Sequence, residues 1–189
     1  MWWSANKARY ESSVREPAEA LAGELEPEFG GLKIFRPHRD VRFSADKRPY
    51  KEHLGLVSSR MNEPALYFQL SAEGVMVGGG LYQPDRDRLA RFRALLDDPA
   101  SAEDVLHAVE ETKRAGFELL VEGALATAPR GFSVEHPHIE LLRLKHLAIG
   151  KRLDRRDVPT DSTLIEIVSE AWSVVERWNQ WLSTSVTAE

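Results

Sequence analysis

The chain has 189 residues, 42% hydrophobic and 29% charged, with five Trp and seven Phe. A chain of that size buries a core without metals or disulfides, so one globular domain is expected over residues 1–189. It has no cysteine, which excludes disulfides, thiolate metal ligands and cysteine nucleophiles, and no apolar run approaches the roughly 20 residues that span a bilayer. A reducing, cytoplasmic setting without a membrane partner is the expectation.

The net charge of −5 is unevenly spread: residues 1–32 carry −3, residues 33–60 carry +5 and the remainder −7. A short cationic stretch on an acidic body suits a small anionic ligand, or a short stretch of nucleic acid, better than a long polyanion.

Along the chain, Tyr10, Val14, Ala18, Leu21 and Leu25 recur at helical spacing across Pro17, which predicts one kinked helix or two short ones. Gly30-Gly31 ends that pattern and Leu32–Arg36 reads as a short strand. Residues 37–60 fit neither the 3.6 nor the 2 period and contain Pro37, Pro49 and Gly55, so they read mostly as loop anchored by Phe43. Connections beyond about 12 to 15 residues are unusual unless functional or disordered.

Ala65–Ser71 and Val75–Tyr82 around Ala72-Glu73-Gly74 predict a β-hairpin. Two amphipathic helices follow, Asp85–Leu96 and Ser101–Ala115, the second opened by Ser101 and Asp104 and closed by Gly116. Phe117–Glu122 reads as a strand, Pro129-Arg130-Gly131 as a turn and Ile139–Leu147 as a helix begun by Pro137. The last element, 161–183, is a helix capped by Asp161 or Ser162, with Leu164, Val168, Ala171, Trp172, Val175, Trp178 and Leu182 on one face. Without strict β-α alternation, this order predicts an α+β domain with a largely antiparallel sheet packed by amphipathic helices.

The candidate chemistry lies in Arg36-Pro-His-Arg-Asp-Val-Arg-Phe-Ser-Ala-Asp-Lys-Arg-Pro-Tyr-Lys51. Arg39, Arg42, Lys47 and Lys51 are donors suited to a phosphate or carboxylate, and Ser44 can add a hydroxyl. Asp40 and Asp46 can orient an arginine or, with Tyr50, serve as acid or base. The competing reading of so charged a run is a solvated, salt-bridged loop. Ser44-x-x-Lys47 has the spacing of a lysine-activated serine, but Pro49 opposes the helix such a pair needs and no companion motif is present.

Outside that block, Gly78-Gly79-Gly80 gives close access to main chain, for a ligand or for another strand. It lacks the following Gly-Lys-Ser/Thr of a nucleotide phosphate loop. Arg130, Lys145 and Tyr82 are further candidates for an anion site. His136-Pro-His138 with Glu140 is too local to define a metal site, so no metal ligand set is assigned. The residues name no cofactor. Trp172 and Trp178 lie on the apolar helical face and read as core; Trp181 is left open.

Together, Arg39-Asp-Val-Arg-Phe-Ser-x-Asp-Lys-x-Pro-Tyr-Lys51, Gly78-Gly-Gly-x-Tyr82, Pro129-Arg-Gly-Phe132 and the His-Pro pair before a helix resemble the domain of unknown function 2461 family, from about Trp3 to Leu147. The resemblance implies that the charged block is a family signature, and it carries no established activity. Members begin with a Phe/Leu-rich segment and an Asn-Asn pair before the Trp-Phe that Trp2-Trp3 resembles, which implies a misassigned start or a trimmed first helix here. Three functions stay open. The first is a pocket for a small anionic ligand. The second is a nucleic-acid accessory in which Phe35 or Tyr50 stacks a base. The third is a structural ion network of Arg39, Asp40, Asp46 and Lys51.

Overall fold

The computed structural model describes residues 2–40, 42, 47–58 and 63–187. It is an α+β fold with a six-stranded antiparallel sheet. Helix α1 (Trp2–Tyr10) passes through a widened π turn, Glu11–Arg15, into α2 (Glu16–Phe29). Pro17 stands in the first turn of α2, directly after the π turn. The break predicted at Pro17 is thus taken up one turn earlier, in the π turn. Gly30, at φ 78°, ends α2 and donates its N–H to the Glu26 carbonyl at 2.9 Å.

The strands are β1 (Leu32–Ile34), β2 (His53–Ser58), β3 (Ala65–Ser71), β4 (Gly74–Leu81), β5 (Glu118–Leu119) and β6 (Leu147–Asp154), in the order β1-β2-β3-β4-β6-β5. Helices α3 (Arg86–Asp97) and α4 (Pro99–Arg114) follow β4, α5 (Ile139–Leu142) precedes β6, and α6 (Thr163–Leu182) follows it. Two compact units are distinguishable: Met1–Ser59 with Tyr67–Met76 and Arg152–Ser169, and Arg60–Leu66 with Val77–Lys151 and Glu170–Glu189.

Three sequence expectations are corrected. The end of the long loop is a strand: β2 pairs with both β1 and β3, and it escaped the period-2 pattern because Gly55 interrupts it. The helix predicted over Ile139–Leu147 is only the single turn α5, and Leu147 begins β6; the spacing of Leu141, Leu142, Leu144 and Leu147 imitates a helical stripe across the join. Helix α4 begins at Pro99, capped by Asp98, whose carboxylate accepts from Ser101 N and Ser101 Oγ at 2.9 and 2.7 Å.

In the first unit, Leu25, Leu54, Leu56, Phe68 and Val75 are buried together with Val168. In the second, Val77, Phe92, Leu96, Val105, Phe117, Leu147, Trp172, Val175 and Trp178 are buried. Each such side chain contributes about 1.5–3 kcal/mol of apolar burial. The Trp178 indole N–H donates to the Leu147 carbonyl at 3.3 Å. Trp181 is half-buried, stacked on Trp178 at 5.1 Å and edge-on to Phe92 at 6.5 Å.

The triglycine of β4 brings backbone against backbone. A methyl group on Gly79 would strike the Ala65 carbonyl and stand 2.5 Å from Val175 Cγ1 of α6. Methyls on Gly78 and Gly80 would strike the carbonyls of Ile149 and Leu147 in β6. Gly79→Ala is therefore expected to destabilise the protein by about 1–3 kcal/mol through overpacking. Urea denaturation checks this: the midpoint should fall at unchanged m value.

Candidate functional site

The described flanks of the cation-rich block extend a β-hairpin made by β1 and β2. Its arms pair as Leu32↔Ser58, Lys33↔Val57 and Ile34↔Leu56. Phe35 N donates to the Gly55 carbonyl at 2.9 Å, continuing that register. Pairing resumes at the neck with the bridge His38↔Tyr50, where Arg39 N donates to the Pro49 carbonyl at 2.9 Å and Lys51 N to the Pro37 carbonyl at 2.8 Å. Trp3 of α1 stacks on Tyr50 at 5.2 Å and 19° and meets His38 edge-on at 5.2 Å. Tyr10 completes the cluster at 5.3 Å from Trp3, and burial pushes its phenol up.

Strand alternation sorts the side chains of β2. Leu54 and Leu56 face the core opposite Leu70 and Phe68 of β3, whereas His53, Gly55 and Val57 share the other face with Ser71, Gln69 and Tyr67. Phe35 lies on that second face: a methyl on Gly55 would stand 2.8 Å from its Cδ2. Glycine at position 55 is what lets the ring lie down. The Lys51 ammonium sits 4.6 Å from the centre of the same ring, a cation–π contact.

The electrostatics of this face are one-sided. Lys51 is pushed below the ordinary lysine value by burial, then by the positive charges of Arg36 and Arg39. His53 is pushed down by burial and by Lys51 and Arg39, partly offset by Glu52. The nearby described carboxylates are engaged with other cations. Asp40 accepts a fork from Arg42, at 3.0 Å from Nε and 2.7 Å from Nη2, which holds the carboxyl below its usual range. That pair is solvent-exposed, 46% for Asp40 and 76% for Arg42, so it adds little stability. Glu52 pairs with Arg48. Among the described residues, Arg36, Lys51 and His53 form no ion pair with a carboxylate.

Of the residues singled out from sequence, the neck of the hairpin holds Arg39, Tyr50 and Lys51. Asp40 and Arg42 engage each other beyond it, and Lys47 is exposed. Phe43, Ser44 and Asp46, and with them the serine of the Ser-x-x-Lys spacing, lie outside the described residues. Gly79, Tyr82 and Arg130 belong to the second unit. Gly79 is buried under Val175, and Arg130 is exposed in its turn. Tyr82 is 61% exposed, with its ring stacked on His146 at 4.6 Å and its carbonyl accepting from His146 Nδ1.

His53 was missed by sequence reading. The alternation Lys51, His53, Gly55 against Leu54, Leu56 was the available signal. His136 has a local function: its Nδ1 accepts from His138 N at 3.1 Å, which leaves Nε2–H to face Asp97 at 3.5 Å. Among the described residues, no group of three or more His, Asp or Glu stands together to hold a metal. Among them, too, no helix is long and apolar enough to cross a membrane.

Two depressions lie in the first unit. One, of about 390 Å³ and bordered by α2 and β1, has its arginine already neutralised, Arg15 Nε standing 2.7 Å from Glu19 Oε1. The other, of about 380 Å³, is lined by Gln69, Ser71, Met76, Glu73, Arg152 and Asp154 among others. Ser71 is the cross-strand partner of His53, and Gln69 of Gly55, so this second depression adjoins the cationic face.

Compared with known proteins, residues 1–181 match the family model described as Conserved hypothetical protein (DUF2461). No curated protein and no solved structure matches the chain.

A histidine whose folded value is depressed binds fewer protons than its unfolded counterpart, so stability rises with pH through that window. Its contribution is lost as pH falls below the ordinary histidine value of about 6.5. In anion-free buffer the unfolding free energy should therefore drop from about pH 7 to pH 5.5, above the range where Asp98 and Asp161 titrate. His53→Gln should flatten that limb. Paired urea titrations across the range check the slope.

Proposed function

This chain belongs to the family described as Conserved hypothetical protein (DUF2461), and we propose that it binds a small anionic, phosphate- or carboxylate-bearing ligand on the cationic face of its β1–β2 hairpin. The observation that carries the reading is the half-buried pair Lys51 and His53, with Arg36 and Arg39 adding positive charge around Lys51 and the described carboxylates Asp40 and Glu52 committed to Arg42 and Arg48. Lys51 and His53 are half-buried and form no ion pair with a carboxylate among the described residues; like charge so placed is unfavourable, and a bound anion relieves it.

In this reading Arg39 and Lys51 supply donors at the neck, Arg36 adds charge, and His53 reaches the anion from the adjoining strand. The uncharged body of the ligand occupies the depression lined by Gln69, Ser71 and Met76. Arg42 and Lys47 add positive charge along the approach. A small ligand is favoured over a nucleic acid because Tyr50 is stacked on Trp3 and Phe35 carries the Lys51 ammonium, which leaves neither ring bare for a base.

Thermal denaturation at constant ionic strength, with phosphate, sulfate, phosphorylated and carboxylated small molecules set against chloride, tests the proposal. A ligand present at about 100 times its Kd adds about 2.7 kcal/mol. That corresponds to a rise in Tm of roughly 5–10 °C for a chain of this size. Lys51→Met and Arg39→Ala should each abolish most of the rise. Equal Tm values in every anion, or a rise untouched in both variants, would refute the site.

A further inference from the structure

Independently of the anion site, we infer that the open edge of β1 is a docking site for an extended, basic peptide segment of a partner protein, which adds a strand to the sheet in the depression between β1 and α2. Strand β1 is the end strand of its sheet and pairs on one side, with β2. The ladder fixes which of its backbone groups are left over. Phe35 N donates to the Gly55 carbonyl, so Phe35 and, two residues back, Lys33 turn their N–H and C=O groups toward β2. Leu32 and Ile34 alternate with them and turn theirs outward. Among the described residues, nothing bonds these four groups from the open side. An edge of this kind is a template for another strand.

This edge opens into a cavity. Leu32 and Ile34, with Gly31, border the depression of about 390 Å³ on one side, and Ala22, Gly23 and Glu26 of α2 border it on the other. Two features of the helix wall serve nothing inside the fold. Gly23 stands in the interior of α2, where glycine is unfavourable relative to alanine, yet a methyl group there would meet no atom within 4 Å. Four residues on, Pro27 has no N–H, so the Gly23 carbonyl lacks its helical donor. The depression therefore has a strand edge with outward donors and acceptors on one side, and on the other a bare stretch of helix backbone with an acceptor to satisfy.

Charge selects the occupant. Helix α2 carries Glu16, Glu19, Glu24, Glu26 and Glu28 and neither Lys nor Arg. Arg15, just before it, is engaged by Glu19 at 2.7 Å. Glu26 forms no ion pair among the described residues. A lysine or arginine on the added strand thus finds a carboxylate without a competing cation, whereas an acidic segment is repelled. A second copy of this chain fits poorly. Two β1 edges paired about a two-fold axis at Lys33 would set the two lysines opposite each other and bring two acidic α2 helices together.

The probe is a short capped peptide of alternating valine and lysine, titrated into the intact protein, with its valine–glutamate counterpart as control. Amide exchange followed by NMR should show Leu32 and Ile34 exchanging freely in the unbound protein while Lys33 and Phe35 are protected. Saturation with the lysine peptide should slow Leu32 and Ile34 at least about tenfold and leave Lys33 and Phe35 nearly unchanged. The glutamate peptide should bind at least about tenfold more weakly, and Glu26→Lys should weaken the lysine peptide by about the same factor. Gly23→Leu, which fills the depression, should abolish binding while Tm holds or rises, so that lost binding is not lost folding.

Failure of the lysine peptide to bind, binding that leaves exchange at Leu32 and Ile34 unchanged, equal affinity for the two peptides, or full affinity in both Gly23→Leu and Glu26→Lys would each overturn the inference. Protection of Leu32 and Ile34 that grows with protein concentration in the absence of peptide would also overturn it, and would assign the edge to a second copy of the chain.

Discussion

The antiparallel register of the β1–β2–β3 ladder is the constraint from which the candidate site follows. Leu54 and Leu56 are buried opposite Leu70 and Phe68, and that burial fixes which edge of β2 faces inward. Side chains in a strand alternate with period two, so a slip of one residue would carry Lys51 and His53 into the core and the leucines out. The hydrophobic term, several kcal/mol for residues such as Leu56 and Phe68, thus sets the position of the charges. Gly55 is the one concession on the outer face. Its missing side chain lets the Phe35 ring lie across the strand and support Lys51.

The neck is held by a different interaction. Between the Phe35–Gly55 hydrogen bond and the His38–Tyr50 bridge the pairing shifts by two residues, so the ladder alone does not define the tip. The Trp3–Tyr50–His38 cluster, with Tyr10 behind it, closes that gap from α1. Aromatic contacts of this kind add about 0.5–1.5 kcal/mol each beyond their buried area, enough to favour one arrangement of a short loop. A backbone neck pinned on both sides makes Arg39 and Lys51 fixed donors, with less ordering entropy to lose on meeting an anion.

Legibility from sequence tracked how much of each element a single period could express. Helix α6 was plain because Val168, Trp172, Val175 and Leu182 all lie on one buried stripe. The β3–β4 hairpin was plain because Ala72-Glu73-Gly74 supplies its turn. Strand β2 was hidden because Gly55 breaks its alternation and two of its neighbours on the outer face are charged or ionisable. Strand β6 was hidden because its apolar half continues the leucine spacing of α5. Within the charged block, composition located the segment, but the division of labour inside it was not readable. Asp40 and Arg42, two residues apart, satisfy each other locally. Lys51 and His53, also two residues apart, share one strand face, so the lysine's charge opposes protonation of the histidine. The same sequence spacing gives opposite electrostatics once the backbone is known.

That contrast bears on why such a face would be kept. A folded domain is stable by only about 5–15 kcal/mol, and half-buried like charges subtract from it. Neutral side chains at Lys51 and His53 would cover Phe35 and Ser71 at lower electrostatic cost. If an anion binds beside Lys51 and His53, the like charge around them is relieved, and that relief adds to the anion's own hydrogen bonds. The positive charge of Arg36 and Arg39 around Lys51, unfavourable in the free protein, would then become part of the driving force for binding. It would also give selectivity: a neutral analogue of the same shape would gain the contacts but leave the repulsion in place.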